Sequence, residues 1–163
     1  MSSTPRLTHW HLLALLVLAS DQAIKSLVDL NTPVGWTYPV TGSFNLVHVL
    51  NPGAAFSFLA DAGGWQRWFF LTVAVAASAW LTWMLSKPRD WTEALAFSLI
   101  LGGAMGNALD RALRGEVIDY LDFHLAGWHW PAFNLADVAI LTGAVLTVVA
   151  SVLPHRTAAE SAQ

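Results

Sequence analysis

The chain has 163 residues, 55% of them hydrophobic and only 12% charged, with a mean hydropathy of +0.50. That balance excludes an ordinary soluble domain and leaves room for a single integral-membrane domain over 1–163. A formal charge of -3 with no basic stripe excludes nucleic acid as a partner, and zero cysteines exclude disulfides, thiol nucleophiles and cysteine-based zinc sites.

The N-terminus comes first. Arg6, then Leu12 to Leu18, then Ala19-Ser20 has the outline of a short signal peptide, but the residue before Ala19 is Leu18 rather than a small one. Cleavage there would also discard a helix needed for an even number of spans, so the segment is expected to be retained. Four spans are predicted, at about 7–30, 65–85, 91–111 and 134–153. A crossing takes about 20 residues. Only the second has an uncharged run close to that length, the 18 residues from Trp68 to Leu85. The other three must carry polar residues into one end. The first closes on Asp21, Gln22 and Lys25, the third on Asn107, Asp110 and Arg111, and the fourth opens on Asn134 and Asp137. Successive spans alternate in direction, so all three sets fall at one membrane face.

Between the first two spans lies an outer segment of about 31–64. Strand-like alternation over Val34–Val40 and Phe44–Leu50, with Thr41-Gly42-Ser43 between, predicts a small hairpin. Phe56 to Leu59 is expected to lie along the interface as a short helix before Gly63-Gly64 releases the chain into the second span. Lys and Arg divide evenly: Arg6, Lys87, Arg89 and Arg156 on one side, Lys25, Arg67, Arg111 and Arg114 on the other. The stretch from Ser26 to Gln66 has neither residue, whereas the tight loop from Ser86 to Glu93 has two. By the positive-inside rule both termini are then cytoplasmic and the polar set faces outward. Trp65, Trp68, Trp80, Trp83, Trp91, Trp128 and Trp130 lie near predicted span ends, as an aromatic belt requires.

Five of the eleven acids fall between Gly106 and Asp137: Asp110, Glu116, Asp119, Asp122 and Asp137. Ionisable groups at the edge of hydrocarbon are costly and mark function. Asn107, Asp110, Arg111 and Arg114 share a helix face, which allows an Asp110–Arg114 pair, and Asp21 and Lys25 are i, i+4 partners. Gly102, Gly103 and Gly106 on the same helix suit close helix approach. Asn134 and Asp137 have the spacing of a helix cap with an acid in the first turn, and capping alone could explain both. Asp119 sits in the apolar run Val117-Ile118-Asp119-Tyr120-Leu121, where burial would raise its carboxyl pKa. If it meets Asp137, the two would share a proton, as acid–base hydrolysis of a peptide needs. The histidines lack ligand spacing, so no metal is expected.

Taken together, Asp21-Gln22 with Lys25, Asn51 with Gly53-Ala54-Ala55-Phe56, Gly106-Asn107 with Asp110-Arg111, Val117-Ile118-Asp119 and Phe133-Asn134-Leu135-Ala136-Asp137 resemble the bacterial lipoprotein signal peptidases, the type II signal peptidases. The resemblance implies a mainly α membrane protein, a four-transmembrane-helix bundle with a small periplasmic β-hairpin or sheet and a short interfacial helix. It implies an intramembrane aspartic endopeptidase of the bacterial inner membrane that removes the signal peptide from diacylglyceryl-modified prolipoproteins, just before the lipidated cysteine. Asp119 and Asp137 take the catalytic positions. Asp21, Lys25, Asn51, Gly53, Asn107, Asp110, Arg111 and Asn134 bind substrate or support the pair. No cofactor is implied. The partners are lipid-modified prolipoproteins, membrane lipids and peptide antibiotics of the globomycin type, acting on a monomer. Two departures stand out: Asp122 adds a third acid three residues after Asp119, and Val138 follows Asp137 where a small residue is common. The alternative is an ion- or proton-conducting protein with an aspartate relay, but a relay should thread the bilayer and these acids gather at one face. A third reading, a purely structural protein, would give the polar residues only a packing role.

Overall fold

Helix α3 (Trp91–Leu113) is the one on which the other helices pack, because its small residues let neighbours approach on more than one face. In the computed structural model, which describes residues 9–53 and 63–152, it lies against α1 (His9–Asn31), α2 (Trp65–Leu85) and α4 (Leu135–Val152). A Cβ on Gly102 would stand 2.6 Å from the Ala14 carbonyl oxygen of α1, and one on Gly103 would strike the Ala136 carbonyl oxygen of α4. On α4, a Cβ at Gly143 would come within 2.6 Å of the Ala96 carbonyl oxygen of α3. Such approaches require glycine, and they favour association where lipid competes equally for apolar side chains. The expected packing role of Gly102, Gly103 and Gly106 therefore extends to Gly143.

All four helices are long and apolar enough to cross a membrane, with 18 to 23 residues each. The third runs to Leu113, beyond the expected end at 111, and the fourth begins at Leu135 with Asn134 as its cap. Large apolar side chains such as Leu16, Trp68, Val75, Leu141 and Val148 are exposed, as they must be when the surrounding medium is hydrocarbon. Towards the α2–α3 turn, Ala14, Leu81, Leu85, Ala96, Phe97 and Leu101 form a buried apolar cluster. Arg89 closes that turn by donating from Nε to the Met84 carbonyl at 2.9 Å and pairing with Glu93 at 3.2 Å. All seven tryptophans assigned to the belt are exposed.

At the opposite end sits an antiparallel sheet. The expected hairpin is present as β1 (Thr37–Thr41) and β2 (Phe44–Asn51), but it is only half of the sheet. β3 (Val117–Leu125) pairs with β2 and the two-residue β4 (Trp128–His129) pairs with β3, giving the order β1-β2-β3-β4. The register sets Val49 opposite Asp119, Asn51 opposite Val117 and Asn45 opposite Asp122, with a bulge between Leu46 and Val49. The sheet thus carries Asn51 and Asp119 to the bundle end where α1 and α3 finish and α4 begins. The interfacial helix expected over Phe56 to Leu59, and the Ala54-Ala55-Phe56 part of the motif, lie outside the described residues.

Candidate active site

The first turn of α4 organises the site. Its leading N–H groups have no partner within the helix, and each is met by a side chain. Leu135 N donates to the Tyr120 hydroxyl at 3.0 Å, Ala136 N to Asp21 Oδ1 at 3.0 Å and Asp137 N to Asn134 Oδ1 at 2.9 Å. Asn134 N donates back to Asp137 Oδ2 at 3.2 Å, which completes a reciprocal cap. The capping role of Asn134 and Asp137 is real, and it coexists with a second one. The Asn134 side-chain amide is fully buried and also donates to Asp119 Oδ1 at 2.7 Å. One asparagine therefore ties Asp137 on α4 to Asp119 on β3.

Each of the two carboxyls receives a second amide. Asn51 Nδ2 donates to Asp119 Oδ2 at 3.0 Å, while its own Oδ1 is held by Gly53 N at 2.9 Å. Asn107 Nδ2 donates to Asp137 Oδ1 at 2.8 Å. Asp119 is 2% exposed. Burial, and next the charge of Asp137, push its carboxyl up to about 7 despite the amides from Asn51 and Asn134. A neutral carboxylic acid beside a second carboxyl at near-neutral pH is the arrangement that lets one group donate a proton while the other accepts one.

Beneath this pair lies a buried ionic cluster. Lys25 Nζ is 2.8 Å from Asp21 Oδ2, 2.8 Å from Asp110 Oδ2 and 2.8 Å from Asn107 Oδ1. The expected Asp110–Arg114 pair forms at 2.8 Å, and Arg114 also reaches Asp29 at 3.2 Å. Gln22 joins the cluster by donating to Asp110 Oδ1 at 3.0 Å and to the Gly106 carbonyl at 3.1 Å. Asp21 and Asp110 further accept the backbone N–H groups of Ala136 and Ile118, so they fasten α1 and α3 to the segments that carry the pair. A Cβ on Gly106 would stand 2.6 Å from Asp21 Oδ2, so glycine is needed there to admit the cluster.

Beside the two acids opens a groove of about 680 Å³, lined by Asn51, Asn107, Arg111, Asp119 and Asp137 and by Trp130, Phe133, Val138, Leu141 and Ala144. Ala144 lies seven residues beyond Asp137 on α4, or roughly 10 Å further along the helix axis. The groove is polar at the acids and apolar along α4. Arg111 borders it, with one guanidinium nitrogen donating to the Gly53 carbonyl, another to the Asn107 carbonyl at 3.3 Å, and the group lying 5.1 Å from the Phe70 ring centroid. Its Nε has no hydrogen-bond partner among the described residues. Every residue expected at the site is therefore in one connected network, at the end of the bundle that carries the sheet.

Comparison with known proteins gives the family. The model of the family described as signal peptidase (SPase) II matches residues 13–153. The chain belongs to the signal peptidase II family. A lipoprotein signal peptidase from Cupriavidus necator is 52% identical over 149 residues, covering 91% of this chain and 84% of that protein. One from Serratia marcescens is 54% identical over 138 residues, covering 85% and 81%. A bacterial membrane enzyme solved by the in meso method at 2.3 Å is similar with a TM-score of 0.78 at 29% identity, covering 88% of this chain and 87% of that one.

Within this signal peptidase II chain, Asp122 is set apart from the pair. It accepts from Asn45 Nδ2 at 2.7 Å and meets His129 Nδ1 at 2.9 Å, toward the other end of β3. Burial works to raise its carboxyl, but Asn45, His129 and the nearby His124 outweigh that and hold it below the usual carboxylate range. Asp122 thus has partners of its own, separate from the amides that hold Asp119 and Asp137. Tyr120 was not singled out from sequence. Burial pushes its phenol up to about 12, so it stays a neutral hydroxyl and caps α4. Among the described residues no group of three His, Asp or Glu side chains is placed to hold a metal ion.

Proposed function

We propose that this signal peptidase II chain is an intramembrane aspartic endopeptidase that removes signal peptides from diacylglyceryl-modified prolipoproteins, cutting just before the lipidated cysteine. The observation that carries the reading is the pair of amide-held carboxyls, Asp119 and Asp137, joined through Asn134 and facing a groove that turns apolar along α4. Asp137 stands at the N-terminus of α4, where the helix dipole favours its charge, while Asp119 is the member that keeps its proton. In the proposed reaction, Asp137 takes a proton from a water molecule as its oxygen bonds to the scissile carbonyl carbon. Asp119 donates its proton to the carbonyl oxygen. Collapse of the tetrahedral adduct breaks the C–N bond as the proton now on Asp137 passes to the departing amine of the modified cysteine, and a hydroxyl proton of the adduct returns to Asp119, which re-forms the carbonyl of the new carboxyl group and restores both acids.

Asn51, Gly53, Asn107, Arg111 and Asn134 hold the acids or offer donors to the substrate backbone, and Asp21, Lys25 and Asp110 brace the floor. The apolar length of the groove suits a peptide already anchored in the bilayer, and a peptide antibiotic of the globomycin type would compete for the same space. The chain acts as a monomer in the bacterial inner membrane, with both termini cytoplasmic. Supporting that orientation, Lys25 and Arg111 are buried in the site and drop out of the outer charge count, leaving Arg67 and Arg114 against Arg6, Lys87, Arg89 and Arg156. The purified protein should convert a lipidated prolipoprotein into a product that begins at the modified cysteine by mass spectrometry, and leave the unlipidated precursor intact. Equal cleavage of both forms would sink the substrate assignment.

A further inference from the structure

We propose that Lys25 is a positioning residue that locks the Asn107 amide with its NH2 toward Asp137, and so decides which of the two aspartates is ionised. This rests on the reading of Asp119 and Asp137 as the catalytic pair. An ammonium has three N–H donors and no lone pair, so every partner of Lys25 must present an oxygen. Two of those donors go to Asp21 Oδ2 and Asp110 Oδ2, and the third to Asn107 Oδ1, all at 2.8 Å and with Lys25 fully buried. Asn134 Nδ2, 3.3 Å from the same Oδ1, repeats the demand. With its oxygen so committed, Asn107 can only turn its NH2 to Asp137 Oδ1, at 2.8 Å. A flipped amide would set NH2 against the ammonium and oxygen against the carboxylate.

Asn107, which donates to Asp137, is held and polarised by a cation. Bonds polarised through a chain that ends in a charge are the stronger ones. Among the described residues, the groups facing Asn107 and Asp137 are Asp21 and Lys25 from α1, Asp110 and Arg111 from α3, Asp119 and Tyr120 from β3 and Asn134 at the start of α4. Asp21 and Asp110 are matched in charge by Lys25 and Arg114, and Lys25 acts on Asp137 through the amide as well as by its own charge.

The test is the pH dependence of kcat and KM on a lipidated prolipoprotein for Lys25→Met and for Lys25→Met/Asp21→Asn, the second keeping the buried cluster neutral so that it folds. With the amide free to turn, kcat should fall roughly 10- to 100-fold while KM stays within about twofold, and the acidic limb of the kcat profile should move to higher pH by about one unit. A folded double variant whose acidic limb stays in place overturns the proposal, whether or not its kcat falls, because a bracing role alone would lower activity without moving the limb. Failure of the catalytic pair itself is read separately, as normal turnover by Asp119→Asn or Asp137→Asn.

Discussion

Asp119 carries a pH dependence that can be checked without a substrate. Its carboxyl is raised from an ordinary 3.8 to about 7, so between those values the folded protein holds a proton that the unfolded chain has released. Its contribution to stability is fully present below about 3.8 and is lost as pH rises through about 7. The melting temperature in detergent should therefore decline across that window, and Asp119→Asn should flatten the decline. Parallel slopes for the two proteins would show that Asp119 does not titrate there. At this scale the acids were legible because ionisable residues in an apolar chain stand out, Asn107 and Asn134 from their places at span ends, and Asn51 with the motif resemblance. Tyr120 was not, since a tyrosine in an apolar run reads as packing until the free N–H groups of α4 are located in space. The separate partners of Asp122, Asn45 and His129, were not legible from spacing either, because those contacts are made across strands and a turn.

Between elements, α3 and α4 meet backbone to backbone. Gly103→Val would drive a branched side chain into the Ala136 carbonyl and Ile140, one turn from Asp137. Overpacking of that kind costs about 1–3 kcal/mol, so a lower melting temperature is expected together with lost activity. Unchanged melting would mean that α4 can shift away freely. Removing a partner from the buried cluster costs more than tight packing does, on the order of 3–5 kcal/mol, because a charge is left uncompensated. The helices were legible from length and hydropathy, and the β1–β2 hairpin from its alternation and turn. β3 and β4 were not. A five-residue apolar run fits strand or buried helix equally, and β4 is two residues long, so only pairing with β2 and closure onto Phe133 define them.

For the molecule as a whole, the polar ends of three spans gather at one face, as alternation of direction required. What lay beyond the sequence was the count of charges that matter for orientation, because Lys25 and Arg111, at span ends, enter the outer tally until they are seen buried among carboxylates and carbonyls. The native chain has no cysteine, so single replacements are clean probes. A membrane-impermeant maleimide added to intact spheroplasts should label Gly127→Cys, in the β3–β4 turn, and leave Lys87→Cys, beyond α2, unlabelled. The reverse pattern would invert the assigned topology and place the acids at the cytoplasmic face.

The central claim, that Asp119 and Asp137 act together on a lipidated peptide bond, is tested most directly by the single-turnover rate of Asp119→Asn and Asp137→Asn on a diacylglyceryl-modified prolipoprotein, with substrate binding measured in parallel. Both variants should bind the substrate and lose roughly 10²–10⁴-fold in rate. Processing by either folded variant at the wild-type rate would contradict the account.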